Sequence, residues 1–292
     1  MLRSLPGDQR AAGTLGHVND ALTLLAVHAH PDDEAIGTGG VLARAAAEGI
    51  RTVVVTCTNG ELGDAPGGIK PGEAGHDEAA VVSIRREELE EACTRLGVAH
   101  LEMLGYHDSG MADWSYKDGP GVFSQVPVGE AAARLSELFE RYRPDVVVTY
   151  EEDAAYDHPD HVQTARVTLA ALRATPIPSK FYLVAMSMKH WGRVRDALEA
   201  QGIPLPFPEP SPEWMQRLAD TQERITTTVD VGPFVDRKRG AVLAHASQMD
   251  QAFFTKMPAD MFNLAFGEEH FIRAHDTTAS PLPEDDLFAG LR

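Results

Sequence analysis

The stretch ALTLLAVHAHPDDEAIGTGG, residues 21–40, is where the architecture of this chain can first be inferred. It begins with a short apolar run of the kind that forms a buried strand, and it ends in a glycine cluster that opens a helix. Between the two lie His28, His30, Asp32, Asp33 and Glu34. A turn from strand to helix needs only one glycine or asparagine and a capping serine, so these side chains indicate a functional junction.

Strands and helices alternate beyond this junction. RTVVVTCTNG (51–60) is β-branched almost throughout, and AAVVSIRREELEEACTRL (79–96) has helical spacing with Gly97 as a stop signal. The alternation continues through HLEML (100–104), a helical segment at 127–142, RPDVVVTYEED (143–153) and HVQTARVTLAALRA (161–174). This rhythm predicts an α/β, Rossmann-like fold with a mostly parallel sheet and helices on both faces.

The pattern predicts three parts of the chain: a flexible N-terminal arm (1–20), an α/β core (21–187) and a C-terminal extension (188–292). Within the extension, GIPLPFPEPSPEW (202–214) contains five prolines and predicts an extended loop. ERITTTVDVG (223–232) predicts an added strand, and PFVDRKRGAVLAHASQ (233–248) predicts a helix. We expect the extension to cap the same domain and to form part of the substrate pocket.

The composition excludes several classes of partner. The 292 residues include 26 Lys+Arg and 44 Asp+Glu, a formal net charge of -18 that repels nucleic-acid backbones and anionic lipids. The sequence shows neither an apolar run long enough to span a membrane nor a signal-peptide core. Cys57 and Cys93 lie in strand-like and helix-like runs and predict buried thiols in a reducing compartment. We expect a cytoplasmic protein that acts on a small molecule, with self-association left open.

A second cluster of histidines and carboxylates, YEEDAAYDHPDHV (150–162), leaves a later predicted strand. Loops at the carboxyl ends of parallel strands converge on one crevice, so the two clusters should meet. His30 and Asp33 are spaced i, i+3, as are His158 and His161, and one helical turn can bring each pair together. Two imidazoles and a carboxylate, with a fourth position open for water, form the ligand set of a catalytic zinc site.

Other interpretations fit parts of these motifs. A single His-Pro-Asp is also a helix cap in which the aspartate accepts backbone N–H bonds. GTGG at a helix N-terminus could bind phosphate, but no GxGxxG follows the strand and the acidic residues would repel a pyrophosphate. A metal-dependent phosphoesterase would prefer a two-metal site, for which Glu34, Glu151, Glu152 and Asp153 are near in sequence.

Four motifs together carry a resemblance to a known family. HAHPDDE, the arginine of SIRREEL, HDSGM and YDHPDH, in this order, resemble the zinc-dependent deacetylases of the PIG-L/LmbE family, which includes mycothiol-pathway enzymes and antibiotic-pathway relatives. The resemblance covers residues 22–185. It implies one Zn²⁺ per chain, although the same ligand types also accept Fe²⁺.

The resemblance also implies roles for individual residues. His30, Asp33 and His161 match the zinc ligands, and Asp32 matches the general base that takes a proton from water. His158 matches a histidine that stabilises the oxyanion or protonates the leaving amine, and Tyr156 matches a tyrosine that polarises the substrate carbonyl. Asp160 is expected to orient a ligand imidazole.

Arg85 and Asp108 match substrate-binding residues of the mycothiol-precursor deacetylase. Arg85 could instead form a solvated ion pair with Glu88 or Glu90, and Asp108 could serve only a turn. His28 is expected to pack in or beneath the site rather than to bind the metal. His107, His245, His270 and His275 show no partner spacing, although His245 in LAHASQ resembles the C-terminal part of the mycothiol conjugate amidase.

The function expected from these residues is metal-dependent amide hydrolysis, with N-deacetylation of an N-acetylglucosamine-type sugar as the first candidate. A mycothiol S-conjugate amidase is the alternative within the same chemistry. A metal-binding or sugar-binding protein without turnover is the alternative outside it, although simple ligation does not require a base such as Asp32.

Overall fold

One seven-stranded sheet runs through the protein. The computed structural model describes residues 22–154, 156–204, 210–248 and 251–292; the predicted N-terminal arm and part of the proline-rich segment lie outside them. The strands are β1 (Thr23–His28), β2 (Arg51–Thr58), β3 (His100–Tyr106), β4 (Val146–Thr149), β5 (Lys180–Ala185), β6 (Thr227–Asp230) and β7 (Glu268–Asp276). Their order is β3-β2-β1-β4-β5-β7-β6; β7 is antiparallel to both of its neighbours, β5 and β6, and the other adjacent pairs are parallel.

Helices cover both faces of this sheet, as predicted. Leu24 and Ala26 of β1 belong to one buried apolar cluster, whereas Leu25 and Val27 belong to the other. This alternation follows from the two-residue period of a strand. The helices are α1 (Asp33–Gly37), α2 (Gly39–Ala47), α3 (Glu78–Leu96), α4 (Val128–Tyr142), α5 (Pro159–Ala174), α6 (Met188–Ala200), α7 (Pro212–Gln222), α8 (Val235–Ala244), α9 (Gln251–Lys256) and α10 (Ala259–Phe266).

The position of β1 in the sheet determines where the site lies. Strand β1 pairs in parallel with β2 on one side and with β4 on the other. In the second pairing, Leu24 is opposite Val146 and Ala26 is opposite Val148. The chain order reverses at this point, and the carboxyl ends of β1 and β4 therefore flank the kind of crevice in which open α/β sheets bind ligands.

Strand β7 was missed by sequence analysis. Its sequence, EEHFIRAHD, has no clear alternation, because the strand is only partly buried and charged side chains line it. It lies between β5 and β6 and is antiparallel to both. The strand and helix predicted at 223–232 and 233–248 are present over shorter ranges, Thr227–Asp230 and Val235–Ala244. The predicted division of the chain into three parts stays a prediction.

Both cysteines are buried and unpaired, as predicted. Burial raises the pKa of the Cys57 thiol to about 12 and also raises that of Cys93, so neither is a ready nucleophile. Within the described ranges, no helix has the length and apolar character needed to cross a membrane.

A buried carboxylate connects β7 to the helix that follows the first site loop. Glu269 is 4% exposed, and its two oxygens accept hydrogen bonds from the backbone N–H groups of Gly40 (2.7 Å) and Val41 (2.9 Å) in the first turn of α2. Lys238 of α8 donates to Oε1 of the same carboxylate at 2.7 Å. A Cβ atom at Gly40 would clash with Val231, so this close approach requires glycine.

We predict that Glu269→Ala destabilises the fold by about 3–5 kcal/mol, because it leaves the Lys238 ammonium buried without its carboxylate. The double variant Glu269→Ala/Lys238→Met should recover part of this loss. Urea unfolding followed by circular dichroism measures both. Glu90→Ala, which removes an exposed ion pair with Arg86, is the control and should change stability by about 1 kcal/mol or less. Equal effects of Glu269→Ala and Glu90→Ala would contradict the assignment.

Candidate active site

The loop after β1 and the loop after β4 meet at the sheet edge, and they bring together His30, Asp33 and His161. Nδ1 of His30 lies 3.3 Å from Oδ2 of Asp33, and Nε2 of His161 lies 3.2 Å from Oδ1. A ligand atom from each of the three residues lies within 4.8 Å of the other two. Ligands about 2.0–2.2 Å from a tetrahedral ion are about 3.3 Å apart, so this spacing fits a divalent metal.

Charge in this group is balanced within the protein. Burial alone would raise the pKa of Asp33, but the imidazoles of His161 and His30 hold it well below its usual range. Burial opposes protonation of His30, whereas Asp108, Asp160 and Asp33 together raise its pKa well above the ordinary value. A carboxylate that stays ionised beside two imidazoles is the donor set that a cation needs.

Asp160 orients one of these imidazoles. It is fully buried, and its Oδ2 lies 3.2 Å from Nε2 of His30. The backbone N–H of Ser109 donates to the same oxygen at 2.9 Å, and the Ser109 hydroxyl donates to Oδ1. Because Asp160 engages Nε2 of His30, Nδ1 is the ring nitrogen left to bind a metal, which would replace any proton held there.

A second combination of donors shares His30 and includes Asp108, His158 and Asp160. Within this set, Nε2 of His30 lies 3.2 Å from Oδ2 of Asp160. Both Asp160 oxygens also accept hydrogen bonds from Ser109. The set of His30, Asp33 and His161 is therefore the better candidate metal site.

Asp32 lies beside the three donors and has an unusual backbone. Its φ of 129° is in the region that favours glycine, which strains any other residue. Oδ2 accepts a hydrogen bond of 3.0 Å from Arg85. Burial raises the pKa of this carboxyl to about 6, with the Arg85 guanidinium acting in the opposite direction.

A buried pair that sequence analysis missed holds this strained residue. Oε2 of Glu34 accepts a hydrogen bond of 3.0 Å from the backbone N–H of Asp32, and Oε1 lies 2.7 Å from Nε2 of His245. Glu34 and His245 are both fully buried. The C-terminal part of the chain thus reaches the backbone of Asp32 through one carboxylate, although no spacing in the sequence indicated the contact.

Arg85 is buried, so its alternative interpretation as a solvated ion pair with Glu88 or Glu90 is wrong. Besides Asp32, its guanidinium donates to the backbone carbonyls of Gly60 at 2.8 Å and Pro31 at 2.6 Å. The neighbouring Arg86 forms the exposed pair with Glu90 instead. These contacts place Arg85 beneath the loop that carries Asp32, and its substrate-binding role stays a prediction.

His158 begins helix α5, where its Nδ1 accepts a hydrogen bond of 3.2 Å from the backbone N–H of Asp160. Burial, with the nearby His30 and His161, lowers the pKa of His158 to about 3. The neutral ring must therefore carry its proton on Nε2, because Nδ1 is an acceptor. Its ring centroid is 4.5 Å from that of His30, so the ring lies next to the candidate metal site.

Tyr156 lies at the open side of the site, whereas Asp108 is buried within it. Tyr156 is 51% exposed, and its ring lies edge-on to that of His161 at 5.0 Å. Oδ1 of Asp108 accepts a hydrogen bond of 2.8 Å from the N–H of Gly110, which is the turn predicted as its alternative role. The same oxygen is 3.7 Å from Nε2 of His30.

His28 packs beneath the site, as predicted. Its Nδ1 lies 3.2 Å from the hydroxyl of Tyr150 and its Nε2 lies 2.9 Å from Oγ1 of Thr38. Tyr150, which sequence analysis did not single out, stacks on His161 with ring centroids 4.1 Å apart. Its position at the end of β4 was the available signal, because aromatic side chains there must pack against the ligand loop.

Three of the four carboxylates considered for a two-metal site are engaged elsewhere. Glu34 contacts His245, Glu151 forms an ion pair with Arg224, and Glu152 lies 2.7 Å from Arg166. A second ion bridged to the first one would have to displace these partners. The geometry therefore argues against the phosphoesterase interpretation.

Two cavities meet at the site and share Asp32, Asp33, Tyr156 and His161. The first, about 180 Å³, is polar and is lined by Arg85, Asp108, His158 and Gln248, among others. The second, about 320 Å³, is lined mainly by apolar side chains, including Ile36, Val184, Met186, Trp214 and Leu218. The candidate reacting centre therefore lies between a polar and an apolar compartment.

Known proteins share both the sequence and the fold. Residues 25–172 match the PIG-L family model, described as GlcNAc-PI de-N-acetylase. Over 278 residues the chain is 38% identical to the 1D-myo-inositol 2-acetamido-2-deoxy-alpha-D-glucopyranoside deacetylase of Acidothermus cellulolyticus, with 92% of this chain and 95% of that protein covered. Over 296 residues it is 31% identical to the mycothiol S-conjugate amidase of Streptomyces coelicolor, with 94% and 99% covered.

The fold is also similar to that of a solved structure whose named activity is different. The 4-carboxy-2-hydroxymuconate hydratase of Pseudomonas putida KT2440 is similar with a TM-score of 0.60 and 18% identity, covering 89% of this chain and 99% of that one. This likeness concerns the fold only, because a shared fold does not fix chemistry. On the family model and the sequence relatives, the chain belongs to the PIG-L family, which confirms the resemblance in its motifs.

We predict that Asp160→Asn weakens Zn²⁺ binding by about 10- to 100-fold, because the amide no longer accepts the Nε2 proton of His30 as a carboxylate does. Competition with a fluorescent chelator measures the affinity. Asp157→Asn, at an exposed position of the same loop, is the matched control and should bind metal like the wild type. Unchanged affinity in Asp160→Asn would show that Asp160 does not support a metal ligand.

Proposed function

We propose that this protein is a zinc-dependent hydrolase that removes the acetyl group from an N-acetylglucosamine-type sugar or glycoconjugate. Amide hydrolysis agrees with its family and with the activities in its relatives' names. The observation that carries the proposal is the half-buried Asp32 carboxylate, which lies next to the three metal donors and is not one of them. Simple metal binding would not require it.

His30, Asp33 and His161 would hold the metal, and their spacing fits one divalent ion. A zinc ion held by these residues would lower the pKa of bound water to about 7 and would polarise a carbonyl group. Asp160 supports this assignment, because it holds the ring of His30 in the tautomer that a ligand needs.

Asp32 would act as the general base. A carboxyl whose pKa burial raises to about 6 is ionised at neutral pH and is still basic enough to accept a proton from water. After attack on the amide carbon, the same group can return this proton to the leaving nitrogen when the C–N bond breaks. The hydrogen bond from Arg85 and the contact of its backbone with Glu34 keep it in one position.

His158 would stabilise the negative charge that develops on the substrate oxygen. Its Nδ1 is an acceptor, so the neutral ring presents a proton on Nε2 without first having to be charged. This tautomer favours the oxyanion role over protonation of the amine. Tyr156, at the open side of the site, can donate its hydroxyl to the same oxygen, because a phenol with an ordinary pKa of about 10 is protonated at neutral pH.

The polar cavity is the candidate sugar site. It contains Arg85, Asp108 and Gln248, whose donors and acceptors suit the hydroxyl groups of an uncharged sugar. The net charge of -18 does not repel such a substrate. We also infer a cytoplasmic location, which the two buried unpaired thiols support.

The proposal is tested by amine release from four substrates: N-acetylglucosamine, its inositol glycoside, a mycothiol S-conjugate and an N-acetylated oligosaccharide. Purified protein with quantified metal is assayed with and without chelator. Chelator-sensitive release from an acetylated sugar is the expected result. Bound metal with no release from any member would favour binding without turnover.

We predict that Asp32→Asn lowers kcat by about 10²- to 10⁴-fold while metal content stays at the wild-type level, because the amide cannot accept the proton. Asparagine has nearly the same size and shape as aspartate, so the loop should keep its conformation. Steady-state kinetics and metal analysis measure the two effects. Asp153→Asn, at an exposed position, is the control and should keep wild-type activity. Activity retained in Asp32→Asn would show that Asp32 is not the general base.

Cleavage of a mycothiol S-conjugate is the second candidate function, and the apolar cavity favours it. An acetyl group needs little of a space of about 320 Å³, whereas the larger acyl part of a conjugate would fill it. This cavity lies on the other side of Asp32 and Asp33 from Arg85 and Asp108. A sugar in the polar compartment would therefore direct its acyl group into the apolar one.

We predict that Met186→Asp lowers kcat/KM about tenfold for amides with a bulky apolar acyl group and leaves acetyl amides nearly unchanged. Met186 lines the apolar cavity and is 49% exposed, so the charge disturbs the cavity without unfolding the protein. Leu282→Asp, at a 51% exposed residue outside the cavity lining, is the matched control. Equal losses of kcat/KM for both amide classes would show that the apolar cavity does not recognise the acyl group of the substrate.

A further inference from the structure

A second group of metal-ligating side chains lies between α6 and β7, outside the candidate active site. His190 lies in the first turn of α6, and Glu268 and His270 open β7. Nδ1 of His190 is 3.1 Å from Oε2 of Glu268, and Nε2 of His270 is 3.7 Å from the same oxygen. A ligand atom from each residue lies within 4.8 Å of the other two.

These separations match those of a coordination sphere. Donor atoms around a tetrahedral ion are about 3.3 Å apart, and the two distances of 3.1 Å and 3.7 Å lie on either side of this value. We propose that His190, Glu268 and His270 form a second binding site for a divalent cation. Two imidazoles and one carboxylate select a borderline ion such as Zn²⁺ or Co²⁺ over Mg²⁺ or Ca²⁺.

The ring of His190 is already held in the tautomer that such a site needs. Its Nε2 lies 3.1 Å from the backbone carbonyl of Ala265, so it carries the proton and donates it there. Nδ1 is then the acceptor atom and faces Glu268. A carbonyl that receives the second N–H of an imidazole is the usual outer partner of a metal-binding histidine.

A side chain of the protein itself competes for this position. The guanidinium NH2 of Arg193 lies 3.0 Å from Nδ1 of His190 and 3.0 Å from Oε2 of Glu268. The Arg193 side chain is 59% exposed, so it can leave for solvent when a metal binds. Because binding must displace this cation, the site should be weaker than the one formed by His30, Asp33 and His161.

The location links the site to the apolar side of the active site. His190, Glu268 and His270 line a cavity of about 300 Å³ whose other walls include Trp191, Val194, Phe254 and Phe266. This cavity shares Ile36, Gly37, Val184, Ala185 and Met186 with the apolar cavity beside Asp33. A bound cation would join α6 to β7 at the far end of this apolar region, where it could also bind the carboxylate of a ligand.

Metal stoichiometry tests the proposal independently of the enzymatic activity. Metal-stripped protein is dialysed against a series of buffered free Zn²⁺ concentrations, and the metal bound per chain is measured by mass spectrometry. The wild type should bind two equivalents, and His270→Ala should bind only the tighter one. Arg193→Gln should bind the second equivalent about two- to fivefold more tightly, the factor that removal of an exposed ion pair provides.

Two further variants separate this site from other sources of binding. His161→Ala should lose the tighter equivalent and keep the second, whereas His275→Ala, at an exposed position of the same strand, should keep both. A single equivalent in both the wild type and Arg193→Gln would overturn the proposal, as would a second equivalent that survives in His270→Ala. If His270→Ala does not fold, Arg193→Gln still tests the proposal. The Arg193 side chain is exposed, so its replacement should not unfold the protein, and the affinity for the second equivalent must rise.

Discussion

The parallel pairing of β1 with β4 is the constraint on which the rest of the site depends. With Leu24 opposite Val146 and Ala26 opposite Val148, the two strands leave the sheet side by side. The two acidic, histidine-containing loops that follow these strands therefore lie next to each other. His30 and His161 are far apart in the chain, and only this pairing brings both of them to the carboxylate of Asp33. The topology of the sheet therefore determines which side chains come together in the candidate metal site.

Burial of the site explains why its carboxylates have so many hydrogen-bond and ion-pair partners. In a site of low polarity, an ionised carboxylate without a partner is costly, and it would take up a proton. Each of the carboxylates around the candidate metal therefore has a separate partner. Asp160 contacts Ser109, Asp32 contacts Arg85, and Glu34 contacts His245. These contacts also fix the orientation of the carboxylates. The hydrogen bonds that offset the cost of burying them therefore also preorganise the site.

The parts of the structure that depend on local patterns could be predicted from the sequence. The strand before HAHPDDE, the strand before YEEDAAYDHPDH and the meeting of the two loops follow from apolar runs and parallel topology. Contacts over long separations could not be predicted. His245 and Glu34 are 211 positions apart, and nothing in LAHASQ indicates an acidic partner in the first loop.

Strand β7 shows a different reason for failure. A strand that is half buried and carries charges on both faces has no two-residue apolar period, and its identity depends on the neighbours it pairs with. The burial of Arg85 could not be predicted for a similar reason, because SIRREEL reads as the exposed face of a helix. Only the tertiary structure shows that this one arginine turns inward beneath the loop of Asp32.

The backbone of Asp32 has a consequence for how this protein could change. At φ 129° a glycine would be relaxed, whereas an aspartate costs about 1–3 kcal/mol. Activity and conformational stability are therefore opposed at position 32: the residue that gives the most stable loop has no carboxylate. A chain selected for heat resistance alone would drift towards glycine there and lose its base. The network of Glu34, His245 and Arg85 is the compensation that lets the less stable residue persist.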